Sequence, residues 1–227
     1  MRKVLVVFVC GLLLIPINTF AAFVDIPVLG AGDGYWHNEI GTSYDYFDNN
    51  SDTVSNKYEY YGTSDTLQHN TGFTQFSLSD APDVSDIVQV TLNINITKAW
   101  KTAPTSDSGF VKHLSNASNA NGDASQKLQG NEEVARVDVG ELGWRSFDVT
   151  SYVISDLNNK FSWSVFSFHP NAKGDYFERN AGFNFISAEG GNPAFLRFET
   201  SSVPLPPAFF LFGSGLAVLL CGKKRKI

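Results

Sequence analysis

From Ile87 to Thr97 the chain reads IVQVTLNINIT, alternating apolar and polar side chains without a break. Successive side chains of a β-strand point to opposite faces, so a period of two fits a strand with one buried and one wet face, whereas a helix repeats every ~3.6 residues. The pattern predicts Val88, Val90, Leu92, Ile94 and Ile96 inward, with Gln89, Thr91, Asn93, Asn95 and Thr97 outward. A half-buried strand needs partners, and strand-like segments recur: FTQFSLS (73–79), EVARVDV (133–139), KFSWSVFSF (160–168), GFNFIS (182–187) and AFLRFET (194–200). Turn-forming clusters such as SDAPDVSD, SNASNANGDAS, HPNAKGD and EGGNP separate them. One short helix is predicted in DVTSYVISDLNN (148–159), capped by Asp148 or Thr150, with Tyr152, Val153 and Leu157 facing inward. The expectation is an all-β fold, a single antiparallel β-sandwich over residues 22–200, without internal repeats or a second domain.

The two ends of the 227-residue chain obey different rules. Arg2 and Lys3, an apolar run from Val4 to Ile15 and the small-residue segment PINTFAA have the layout of a secretory signal peptide, residues 1–21, an N-terminal signal helix removed on export. Cys10 lacks the small preceding residue that lipoprotein processing requires, and reads as a small hydrophobe. At the other end, Ala208 to Gly222 is apolar or small, and at ~1.5 Å per residue this helix reaches roughly 22 Å. A bilayer core of ~30 Å is longer, so the segment crosses only with Val203 to Pro207 in the interface or in a thin membrane. Lys223, Lys224, Arg225 and Lys226 then hold the cytoplasmic side as a basic stop. Without these termini the exported part has 11 basic against 23 acidic residues, a net charge of −12. That balance excludes nucleic acid as a partner, because no basic stripe meets phosphates. Both cysteines, Cys10 and Cys221, lie in the terminal segments, so the exported domain relies on its core rather than on a disulfide.

The tail VPLPPAFFLFGSGLAVLLCGKKRK resembles the PEP-CTERM sorting signal of Gram-negative bacteria: a proline motif (Val203, Pro204, Leu205, Pro206), an apolar helix and a basic finish. Leu205 stands where the family's name has glutamate. The resemblance implies a C-terminal transmembrane helix within residues 201–227, recognition by an exosortase-type membrane transpeptidase, and delivery through the inner membrane to the cell surface or the extracellular matrix of a biofilm. A second resemblance covers residues ~73–200, where Trp144, Phe147, Asp148, Val149, Thr150 and Val153, then Ser187, Glu189, Pro193 and Leu196, are similar to motifs of DNRLRE-type domains, relatives of carbohydrate-binding modules. It implies a jelly-roll-like sandwich; Ala188 replaces that family's usual arginine.

Ligand candidates follow from chemistry. Sugars stack C–H faces on aromatic rings and bond their hydroxyls to amides and carboxylates. Tyr35, Trp36, Tyr44, Tyr46, Tyr58, Tyr60 and Trp100 form an aromatic-rich set, although core packing accounts for such residues equally well. Asp48, Asn50, Asp52, Asn56 and Glu59 take EF-hand offsets, but Thr53 replaces the required glycine, and the stretch reads as a solvated loop. No cofactor is expected; the acidity leaves room for Ca²⁺ at ligands the sequence does not name. His37, His69, His113 and His169 are scattered, and no metalloprotease, thiol or serine-elbow motif occurs. The expected function is a non-catalytic, surface-anchored or matrix-associated protein binding extracellular polysaccharide. The alternatives are a glycan lyase or hydrolase, and a plain single-pass membrane-anchored module.

Overall fold

The computed structural model describes residues 21–40, 44–48, 51, 53–61, 66–101, 107–123, 125, 128, 130–138, 140, 142–171 and 181–201. The predicted signal helix and the sorting tail, including Val203–Pro206 and Lys223–Lys226, lie outside them. Among the described residues no helix is long and apolar enough to cross a membrane.

Among the described residues the fold has twelve strands and one α-helix, with short 3-10 turns between them. In chain order they are β1 (Ala22–Pro27), β2 (Asp33–Ile40), β3 (Tyr44–Asp48), β4 (Thr53–Tyr61), β5 (Thr66–Ser77), β6 (Ile87–Lys101), β7 (Asp107–His113), β8 (Glu132–Asp138), β9 (Gly143–Asp148), α1 (Thr150–Asn158), β10 (Trp163–Pro170), β11 (Ala181–Ile186) and β12 (Phe195–Thr200). The hydrogen-bonded order is β1-β12-β6-β11-β4-β5-β10-β7-β8, with β9 on β6 and the β2–β3 pair on β5. Every ladder with a resolved register is antiparallel.

The long strand β6 explains how two sheets join. Its first part pairs with β12 and β9, and its last residues, Ile96 to Lys101, pair with β11, which leads through β4 to β5. Val90, Leu92, Ile94 and Ile96 are buried, as the alternation predicts, and join Phe76, Phe166, Phe168, Phe183, Phe185 and Phe198 in one apolar cluster. Val88 departs from the expectation and is 58 % exposed. The reason is local: Thr200 pairs with Ile87 and Glu199 with Gln89, leaving Val88 as the extra residue of a bulge, which turns it out of the ladder.

The helix starts one residue away from the expected caps. Val149 is the N-cap and makes no side-chain cap bond. Asp148 serves from just outside, accepting the Thr150 N–H at 3.0 Å, and Thr150 Oγ1 accepts the Val90 N–H at 2.9 Å, which anchors the helix start to β6. Val153 is buried and Tyr152 and Leu157 are half-buried, as expected; the buried Asp156 is not foreseen by the apolar pattern. At the far end the Phe161 N–H bonds Asp156 O and the Lys160 N–H bonds Leu157 O, both at 3.0 Å, a Schellman closure with Lys160 at φ 59°.

Candidate functional site

The outward face of β1, β12, β6 and β9 collects exposed aromatic and polar side chains. On β9, Trp144, Ser146 and Asp148 face outward while Arg145 and Phe147 turn in, half-buried. Antiparallel register extends each position into a row, because direct cross-strand partners share a face. Trp144 lies opposite Asn95; Ser146, Asn93 and Phe195 form the next row; Asp148, Thr91 and Arg197 the third. On β1 the exposed residues are Ala22, Phe23, Asp25 and Pro27.

These side chains are held in place. The Arg197 guanidinium donates two parallel bonds to Asp25, Nε to Oδ1 and Nη2 to Oδ2, each at 2.7 Å. That hydrogen-bonded partner raises the Arg197 pKa above its ordinary value. The same guanidinium lies over the rings of Phe195 and Phe23, at 5.2 and 5.7 Å. Trp144 meets Phe195 edge-on, with centroids 5.4 Å apart. Ser146 donates to Asn93 Oδ1, and Asn93 Nδ2 donates to Thr91 Oγ1 at 3.0 Å. Asp25, Pro27, Trp144, Gly191, Asn192, Pro193 and Phe195 line a shallow depression of about 400 Å³. Trp144 is 46 % and Phe23 60 % exposed, so apolar ring surface is open to water beside fixed polar groups.

The aromatic set read from the sequence does not assemble on this face. Tyr35 packs against the apolar core and donates its hydroxyl to Asp48 at 2.9 Å. Trp36 is half-buried on β2, with Thr71 and Phe47 opposite. Trp100 is half-buried near the end of β6, with the Lys98 ammonium 4.9 Å from its ring centre. Tyr44 and Tyr46 pair with Glu39 and His37, and Tyr58 and Tyr60 with His69 and Leu67; for these four the described part is the backbone register. Trp144 carries no ligand role in the sequence reading, yet its parity places it outward: it shares the exposed side of β9 with Ser146 and Asp148, against Phe147.

Two buried polar networks lie elsewhere. His113 Nε2 donates to Asp156 Oδ2 at 2.9 Å, and Ser164 Oγ donates to the same oxygen at 2.7 Å. These are the residue types of a hydrolase triad in the wrong arrangement, since the serine proton goes to aspartate rather than to histidine and all three groups are sealed from solvent. The trio fastens α1 to β7 and β10. In the second network His37 Nδ1 meets Asn70 Oδ1 at 2.7 Å, and Asn70 Nδ2 donates to Ser55 Oγ at 3.2 Å. Among the described residues no group of three or more His, Cys, Asp or Glu side chains could hold a metal ion. Of the EF-hand-like run, Asp48 ends β3 and Asn56 and Glu59 lie in β4, flanked by strands rather than helices; Asn50 and Asp52 lie outside the described residues.

No protein-family model matches the chain, and no curated protein matches it in sequence.

Proposed function

We propose that the protein is an exported, jelly-roll-like β-sandwich, displayed at the cell surface or in the extracellular matrix, that binds polysaccharide without breaking it. The observation that carries this reading is the outward face around Trp144. An exposed indole and two phenylalanine rings offer stacking surface, while Asn192, Asn95 and the Asp25–Arg197 pair offer hydrogen bonds at fixed positions. A shallow depression on a rigid sheet suits one stretch of an extended glycan. The carboxylate at its rim, Asp25, is engaged at both oxygens by Arg197, which suits binding rather than proton transfer. Export rests on the signal-like first 21 residues and on the PEP-CTERM-like tail, with an exosortase-type transpeptidase as the processing partner.

The test is retention of the purified protein on isolated matrix polysaccharide, with Trp144→Ala as the comparison. Losing one stacking ring weakens binding about tenfold, the equivalent of ~1.4 kcal/mol. Trp144 is an exposed side chain, so circular dichroism and the unfolding midpoint stay unchanged. No retention of the wild type, or equal retention of both proteins, overturns the reading.

A further inference from the structure

On the face around Trp144 a donor and an acceptor are fixed side by side. The Arg197 guanidinium and the Asp25 carboxylate form a two-bond fork, Nε to Oδ1 and Nη2 to Oδ2, each at 2.7 Å, and their side chains are 45 and 44 % exposed. A fork of this kind holds two planar groups in register and uses only part of each. Each carboxylate oxygen keeps a second acceptor position, and the guanidinium keeps N–H groups that meet no acceptor among the described residues. Exposed ion pairs add little to stability, so joining β1 to β12 is a weak reason for so ordered a pair.

The pair is also aimed. Its guanidinium lies over the rings of Phe195 and Phe23, and Phe195 meets Trp144. Asp25, Phe195 and Trp144 line the same depression, so a sugar ring stacked on the aromatic side turns its rim, where the hydroxyls are, towards the pair. Nη2 and Oδ2 stand 2.7 Å apart. Two hydroxyl oxygens on neighbouring ring carbons, gauche to one another, are separated by nearly the same distance, ~2.8 Å, about one hydrogen-bond length. A hydroxyl both donates and accepts, so one of the two donates to Asp25 while the other accepts from Arg197. A lone hydroxyl satisfies one partner only, and an anionic substituent meets the carboxylate.

We propose, resting on the polysaccharide reading of this face, that Asp25 and Arg197 determine its specificity: they select neutral sugar units that keep two adjacent hydroxyls free. Such a pair divides neutral glycans by linkage. A (1→4)-linked glucopyranose chain keeps its 2- and 3-hydroxyls side by side. In a (1→3)-linked chain the linkage occupies the middle position, and no two free hydroxyls of a ring unit are neighbours.

The experiment is a competition. Purified protein is held on isolated matrix polysaccharide, and β-(1→4)- and β-(1→3)-linked glucose hexasaccharides are titrated in to release it. The (1→4) chain should release wild type at a concentration at least about tenfold lower, the discrimination expected from one hydrogen bond to a charged group. Asp25→Ala and Arg197→Met each remove one partner from an exposed pair, and each should weaken retention and bring the two competitors within about twofold of one another; either variant carries the test if the other does not fold. Trp144→Ala should weaken retention and leave the preference in place, which separates selection from stacking. A salt bridge that only ties β1 to β12 would change the unfolding midpoint of the pair variants and leave the preference untouched. Equal release by the two hexasaccharides at every concentration, or a preference that survives in the pair variants, overturns the proposal and leaves the polysaccharide reading standing; no retention of wild type on the matrix removes both.

Discussion

His169 gives the protein a pH dependence that can be isolated. Its Nε2 accepts the Ser167 hydroxyl, 2.9 Å away, while Ser167 Oγ accepts the Gly130 N–H at 2.8 Å, an arrangement that uses the neutral imidazole. Burial, then Lys112 and His69, lowers its pKa from 6.5 to about 4. In the unfolded chain the ring takes up its proton near pH 6.5; in the folded chain it resists until about pH 4. The contribution is therefore complete above pH 6.5 and is lost as pH falls towards 4. A shift of about 2.5 units at ~1.36 kcal/mol each is ~3 kcal/mol, and the solvent-facing edge of the ring reduces this to about 2–3 kcal/mol. Asp33 runs the opposite way: its raised pKa gives stability that is full below 3.8 and lost as pH rises through about 7. The two slopes oppose each other between pH 4 and 6.5, so the wild-type curve alone is uninformative. The assay is urea unfolding of wild type and His169→Gln in EDTA buffers from pH 4 to 7.5, read as a difference in which all other groups cancel. Wild type should lose about 2–3 kcal/mol more than the variant on acidification. Parallel curves, within about 1 kcal/mol, refute the assignment of a buried neutral imidazole.

Asp156→Ala removes the acceptor of two buried hydrogen bonds and strands His113 and Ser164, so unfolding in urea should show a loss of about 3–5 kcal/mol. A loss under 1 kcal/mol would mean the network is not what fastens α1 to the sheet. Lys160 holds the left-handed position of the Schellman closure, where glycine fits without strain, and Lys160→Gly should stabilise the protein by up to about 1 kcal/mol in the same assay. Because Arg197 and Asp25 neutralise each other at the depression, and residues 22–200 carry a net charge of −12, the polysaccharide proposed for this face should be a neutral one. Retention on neutral polysaccharide should then change less than twofold between low and high salt, whereas a steep loss with salt would point to an acidic glycan bound by charge.

Strands were legible in the sequence wherever water wets one of their faces, and blurred wherever it does not. In β6, Val90, Leu92, Ile94 and Ile96 take the core side at every second position, while Asn93, expected outward, is buried as well because Ser146 and Thr91 hold its amide. In β5 every residue from Asn70 to Phe76 is buried, because β5 is covered on both sides. Gly122 and Gly130, in the loop between β7 and β8, lay backbone N–H groups onto Gln75 of β5 and Ser167 of β10, so polar side chains there are interior and the period of two loses its meaning. The same physics hid Asp156, an acid on the apolar side of α1: burial of a charge is decided by partners far away in sequence, His113 above all. The candidate site was masked for the opposite reason. Aromatic residues are frequent in strands because they pack, so the tyrosine-rich first hundred residues drew the ligand reading, and Tyr35 proves to be packed against the core. Composition cannot separate a ring that packs from a ring that waits for a ligand. Parity separates an inward ring from an outward one, and at Trp144 an indole shares the exposed side of the strand with a serine and an aspartate while Arg145 takes the inner side. Leaving an indole in water forgoes roughly 1.5–3 kcal/mol of burial that a purely structural tryptophan would claim, and a bound sugar ring is the kind of surface that recovers it.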